Sequence, residues 1–176
     1  ATGANGAANA APGTTQRQFG LRQLYVKDLS FESPNTPAIL TETGLDPEIK
    51  LNLRTSHRDL GNGLSEVVLH VSVHAMAGQR TVFLIELEQA GTFVISGFSP
   101  EEVRAILGIS CPNALFPYAR ETVSSAVQRG GFAPLLLQPI DFTALVAKAQ
   151  GHASTPTGAS PAGPSPTAGR GPAPSE

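Results

Sequence analysis

An α+β fold is expected, with a four-stranded antiparallel sheet followed by two or three helices packed on one face. Three observations predict it. Apolar residues recur at period two through the first half of the chain and at helical spacing through the second, and the strands all precede the helices. The 176-residue chain sets this core between two low-complexity ends. Residues 1–15 contain only Ala, Thr, Gly, Asn and Pro, and in 151–176, 23 of 26 positions are Gly, Pro, Ala, Ser or Thr. Neither end can bury enough apolar surface to offset the entropy of ordering it, so both are expected to be disordered. The remaining residues, 16–150, carry 11 basic and 13 acidic side chains and suffice for one domain with a modest core.

Each element has its own signal. Leu21–Phe31 is the first strand, with Tyr25, Leu29 and Phe31 opposing Leu24, Val26, Asp28 and Ser30. Ile49, Leu51 and Leu53 alternate with Lys50, Asn52 and Arg54 in a second, ending before Gly61-Asn62-Gly63. In Glu66–Met76, Val67, Leu69, Val71, Val73 and Ala75 share one face and Val68, His70, Ser72, His74 and Met76 the other. Thr81–Gln89 repeats the alternation, and Ala77-Gly78-Gln79-Arg80 supplies a hairpin turn between the two. Ser99-Pro100-Glu101-Glu102 is a capping box that opens a short helix, which Gly108 closes. From Asn113 to Arg129, Leu115, Ala119, Val123, Ala126 and Val127 form one stripe that Gly130-Gly131 ends; Pro117 should bend or restart that helix. Asp141 can cap a last helix through Ala149. Two segments fit neither period. Ser33–Pro47 is a long connection, and Phe132–Phe142 is either a buried crossing segment or an apolar wall left partly open for a ligand.

Composition excludes several functions. A single cysteine cannot form an internal disulfide, and no apolar run reaches the roughly 18 residues of a membrane span. No signal-peptide pattern opens the sequence, so the expected location is the cytoplasm. A near-balanced, slightly acidic core lacks the basic face that nucleic acid requires. His70 and His74 share a strand face but lie roughly 13 Å apart, too far to chelate one ion alone. Cys111 stands near a helix start without a nearby histidine, and Gly61-Asn62-Gly63 is a turn, not a phosphate loop. No enzyme and no cofactor is expected. Asp28 and Glu32 share a strand face, as do Leu84, Glu86 and Glu88, so one sheet would gather them into an acidic outer surface or an ordinary solvent face.

Three stretches carry a family resemblance. Tyr25-Val26-Lys27-Asp28-Leu29-Ser30-Phe31-Glu32-Ser33-Pro34-Asn35 resembles the opening strand of the SecB family of bacterial protein-export chaperones. Cys111-Pro112-Asn113-Ala114-Leu115-Phe116-Pro117-Tyr118-Ala119-Arg120-Glu121 resembles the start of its principal helix, and Arg129–Phe142 is similar to its helix-connecting segment. The likeness covers roughly residues 19–149 and leaves both tails out.

The resemblance implies an ATP-independent holdase that binds unfolded preproteins and hands them to the SecA motor. It implies a homotetramer, a dimer of dimers with sheets paired edge to edge and helices between them. By the same likeness, SecA contacts fall on Asp28, Glu32, Leu84 and Glu86. The client groove falls on Leu40, Leu45, Ile49, Leu51, Leu53, Leu115, Phe116, Tyr118, Phe132, Leu135, Leu136 and Leu137. Substitutions that disturb assembly fall on Ile85, Leu87 and Gln89. Leu45 replaces a frequent family Trp and Ser110 a frequent Tyr, which implies a less aromatic groove. A related holdase serving a toxin or stress partner, and a small-molecule carrier or enzyme using the same cavity, are the alternatives.

Overall fold

The computed structural model describes residues 16–153; the expected disordered segments lie outside them, apart from the first three residues of the C-terminal one. Four long strands, β1 (Gln18–Glu32), β2 (Glu48–Gly61), β3 (Leu64–Ala77) and β4 (Arg80–Ser96), are followed by α1 (Pro100–Ala105), α2 (Cys111–Arg129) and α3 (Phe142–Ala153). The strands form one antiparallel sheet in the order β1-β4-β3-β2. The first two strands therefore occupy opposite edges, which is why a long connection separates them. Within it, a 3-10 turn at Ala38–Thr41 buries Ile39, and Ser33 Oγ and Asn35 Nδ2 donate to the carbonyls of Val82 and Thr81.

The β3–β4 hairpin turns at Gly78-Gln79, and Gly78 (φ 62°) supplies the left-handed backbone the turn demands. The inner face of β3 is the expected one: Val67, Leu69, Val71, Val73 and Ala75 are buried beneath the helices. The alternation in β1 needs correction. Register shifts between Leu21 and Gln23 and between Val26 and Asp28 each add a residue, and one extra residue flips every side chain beyond it. Tyr25 therefore lies on the outer face with Asp28, Ser30 and Glu32, while Leu24 packs inward with Phe31.

The helical half also departs from expectation at Gly108. The short helix does not close there but continues through a π-turn, Ile106–Ser110, into α2. The Cys111 N–H reaches back five residues to the Ile106 carbonyl, so the chain keeps helical bonding across a site flanked by Pro112. Pro117 lies inside α2 and does not restart it. The capping box is present, with the Ser99 hydroxyl accepting from the Glu102 N–H and the Glu102 carboxylate from the Ser99 N–H. At the other end, Gly131 N–H bonds the Gln128 carbonyl and Phe132 N–H the Val127 carbonyl, a Schellman motif with Gly131 at φ 89°. Asp141 Oδ1 accepts from the N–H groups of Thr143 and Ala144 and so caps α3.

The core sits between the inner face of β3–β4 and the Leu115–Ala119–Val123–Val127 stripe of α2. Cys111 is fully buried in it, and burial pushes its thiol up to about 12, which leaves it un-ionised and structural.

Candidate functional site

The Schellman turn at the end of α2 throws Phe132–Leu135 back over the sheet toward the 38–47 connection. There Phe132 meets Phe83 and Phe31, with ring centroids 5.3 and 6.4 Å apart. These elements enclose a cavity of about 330 Å³ whose walls include Leu40, Leu45, Ile49, Phe132 and Leu135, with Ile39, Val82 and Phe83 behind them. Five of the groove residues expected from the sequence are thus brought together. Leu40 is exposed and the other four are half-buried, so the wall is apolar and open.

Along the inner face of β2 the same floor continues. Ile49, Leu51 and Leu53 follow one another on that face, opposite Ala75, Val73 and Val71 of β3. Leu51 is 36% exposed, because no helix lies over it. At the far end, Leu53, Thr55 and His57 join Leu107, Gly108, Phe142, Leu145 and Val146 around a second cavity of about 560 Å³, with Arg104 at its rim; the Arg54 side chain alternates to the outer face, opposite His70. Sequence reasoning missed the α3 side of this cavity. Its signal was available: Phe142, Leu145 and Val146 stand at helical i, i+3, i+4 spacing.

Other expected groove residues lie elsewhere. Leu115, Phe116 and Leu137 are buried in the core, and Phe116 packs edge-on against Phe142. Leu136 is 68% exposed and lines a shallow cleft with Pro117, Arg120 and Gln128. Tyr118 is exposed on α2.

The outer face of the sheet is polar and electrically divided. Register places Asp28 beside Glu88, Ser30 beside Glu86 and Glu32 beside Leu84, so the expected SecA residues form one patch on β1 and β4. Glu86 accepts from Ser72 Oγ at 2.7 Å, and Glu88 lies 3.3 Å from His70 Nδ1. His70 also meets Ser56 at 2.9 Å, and His74 meets Thr81 at 3.2 Å, so neither histidine is merely solvated. Among the described residues no cluster of three or more His, Cys, Asp or Glu side chains is placed to hold a metal ion.

Below that patch, Glu66 is a buried carboxylate that accepts from Tyr25 Oη at 2.6 Å and Lys27 Nζ at 3.0 Å, with Arg58 3.2 Å away. These hydrogen bonds hold its pKa below the usual carboxylate range, the Tyr25 bond most strongly. The same bond pushes the Tyr25 phenol up to about 12.

Ile85, Leu87 and Gln89 are buried within the protomer under α2; Gln89 Nε2 donates to the Tyr25 carbonyl at 2.9 Å. At that edge of the sheet apolar surface is left open on β1, where Phe19, Leu21, Val26 and Leu29 are 40–47% exposed along the edge strand.

Comparison with known proteins shows the family and the fold. The SecB family, described as preprotein translocase subunit SecB, matches residues 12–153. Protein-export protein SecB of Methylococcus capsulatus is 46% identical over 147 residues, 80% of this chain and 94% of that protein. The Stenotrophomonas maltophilia protein of the same name is 42% identical over 165 residues, 90% of this chain and 95% of that one. Among solved structures, the Mycobacterium tuberculosis Rv1957 SecB-like chaperone, in complex with a ChAD peptide from the Rv1956 HigA1 antitoxin, shares the fold. Its TM-score is 0.60 at 19% identity, over 69% of this chain and 90% of that one.

Proposed function

The chain belongs to the SecB family of protein-export chaperones, and we propose that it holds unfolded preproteins along the inner face of β2. The observation that carries this reading is the uncovered apolar floor Ile49–Leu51–Leu53 running between two apolar cavities. Burying a large client side chain in such a site contributes about 1.5–3 kcal/mol, so a few contacts offset the ordering of the client chain. Extended segments with apolar side chains fit this floor, and a folded client hides them. Recognition of unfoldedness therefore needs neither ATP nor a sequence motif.

In this reading the protein works in the cytoplasm as a homotetramer. The exposed apolar stripe on β1 and that strand's open edge suit pairing with a second copy. Four copies multiply the grooves available to one client and turn weak contacts into avid ones. SecA docks on the outer patch of Asp28, Glu32, Leu84 and Glu86, on the opposite side of the sheet from the groove. Among the described residues Asp28 and Glu32 have no ion-pair partner, which leaves their charge for a basic surface.

The test uses purified SecA and an unfolded preprotein. Asp28→Lys with Glu32→Lys should weaken SecA binding at least tenfold while client holding and the tetramer survive. Equal SecA affinity in the double variant would show that the patch is an ordinary solvent face.

A further inference from the structure

We infer that the Glu42–Arg80 pair is a latch that positions one wall of the first cavity, so that Leu40 and Leu45 stand ready for an apolar client side chain. This deepens the holdase reading and rests on it. The wall belongs to the connection between β1 and β2, and that connection is pinned unevenly. Ser33 Oγ and Asn35 Nδ2 tie its start to the carbonyls of Val82 and Thr81. The Ile39 and Leu40 N–H groups bond the carbonyls of Asn35 and Pro37, and Ile39 is buried. From Glu42 to Pro47, among the described residues, the one polar anchor is the Glu42 carboxylate, which accepts from Arg80 Nη1 at 2.6 Å and Nη2 at 2.8 Å. Gly44 bends this stretch at φ 75°, and a Cβ there would touch nothing, so no packing holds the bend.

The anchor ties this strap to the most rigid part of the sheet. Glu42 lines the cavity, and Arg80 opens β4 directly after the tight turn from β3. A bidentate guanidinium–carboxylate pair fixes orientation as well as distance, which a lysine would not. Arg80 also holds the Glu42 carboxyl below the usual carboxylate range, so the pair stays charged. Because the side chains are 37% and 51% exposed, the pair adds little to global stability. Its effect is local. Residues 42–47 are held otherwise by the half-buried Leu45, and such a segment opens without unfolding the rest. Leu40 and Leu45 flank Glu42, and Leu40 lies against the open side of Gly131, where the facing wall begins. With the latch shut both leucines are in place before a client arrives, and the cost of ordering them does not fall on binding.

The test titrates an uncharged, Leu- and Phe-rich labelled peptide by fluorescence anisotropy against the full-length chain and its variants. Glu42→Gln and Arg80→Gln change the net charge in opposite directions, yet each breaks the latch. Both should weaken peptide binding by about threefold to tenfold. The double variant should bind no more weakly than either alone, because the two side chains act as one unit. The charge swap, Glu42→Arg with Arg80→Glu, should recover most of the lost affinity. Chymotrypsin cleavage after Leu40 and Leu45 should quicken about threefold in each single variant and slow again in the swap. Thermal midpoints should move by less than about 3 °C throughout. Opposite shifts in the two single variants would trace to charge rather than to the latch. Those, additive losses, unchanged affinity, or a swap no better than its parts overturn the proposal and leave the holdase reading intact. Failure of wild type to bind either the peptide or an unfolded preprotein overturns both.

Discussion

The central strands and the flanking strands carry the same alternation and meet different fates. On β3 and β4, inner-face residues such as Leu69, Val71, Val73, Ile85 and Phe93 are fully or almost fully buried beneath α2. On β1 and β2, inner-face residues of the same type are left open: Phe19, Leu21, Val26 and Leu29 at one edge, Leu51 at the other. One 19-residue helix covers the middle of a four-stranded sheet and cannot cover its margins. Alternation thus tells which face is apolar, and the extent of the helical layer decides whether the chain itself covers it. What is left uncovered is the surface that a chaperone needs.

Substituting one residue in each region gives the largest contrast. Val71→Asp places a charge in the dry centre and should unfold the protein, at a cost of about 4 kcal/mol or more. Leu51→Asp, on the neighbouring edge strand and the same face, should stay within about 1 kcal/mol of wild type in thermal or urea denaturation. If both melt alike, the flanking strand is core and the comparison fails.

A second contrast lies at the two glycines that start the crossing segment. A Cβ on Gly130 would overlap the Phe31 ring, whereas a Cβ on Gly131 meets only ordinary contacts with Leu40 but sits at positive φ. Gly130→Ala should cost about 1–3 kcal/mol by displacing the ring, and Gly131→Ala about 1 kcal/mol through backbone strain alone. Urea titration of the pair measures the difference. Only Gly130→Ala should also disturb the Phe31–Phe83–Phe132 wall and hence client affinity.

The Glu66 network joins both flanking strands to the centre, since Tyr25 and Lys27 come from β1, Glu66 from β3 and Arg58 from β2. Its full strength needs an ionised Glu66 and a neutral Tyr25. Because the Glu66 pKa is lowered on folding, its contribution is present above the unfolded carboxylate value near 4.5 and is lost as pH falls through the lower folded value. Because the Tyr25 pKa rises from 10.0 to about 12, its contribution is present below pH 10 and is lost between there and about 12. Glu66→Gln should cost about 2 kcal/mol at neutral pH and flatten both limbs of the stability profile, as denaturant midpoints against pH will report. A profile unchanged by the substitution would mean that the flanking strands are held by other contacts.

The smallest effect belongs to Leu136→Ser. That side chain is mostly in water, so stability should change by no more than about 0.5 kcal/mol. A large loss, seen in a thermal melt, would show that the crossing segment is covered in the assembled protein.

Much of this was legible in the sequence. The inner face of β3, the capping box and the stripe of α2 follow from spacing and local chemistry alone. The β1 bulges were not, because a bulge changes the pairing count without changing composition; Tyr25 was therefore placed on the wrong face. The helical continuation past Gly108 escaped for a related reason, since Gly and Pro end most helices and a π-turn absorbs both here. The candidate cavity was legible in part. Leu40, Leu45, Ile49, Phe132 and Leu135 converge as expected, but Leu115, Phe116 and Leu137 look the same in sequence and are buried. Cover by a distant segment cannot be read from a run of leucines.

The central claim is that the uncovered inner face of β2 holds unfolded chains. Its most direct test follows the refolding of a denatured preprotein by fluorescence, without nucleotide, in the presence of wild type or Leu51→Asp. The account predicts that wild type arrests refolding at near-stoichiometric ratio and that Leu51→Asp, equally stable and equally assembled, lets it proceed. Arrest by Leu51→Asp as complete as by wild type would contradict it.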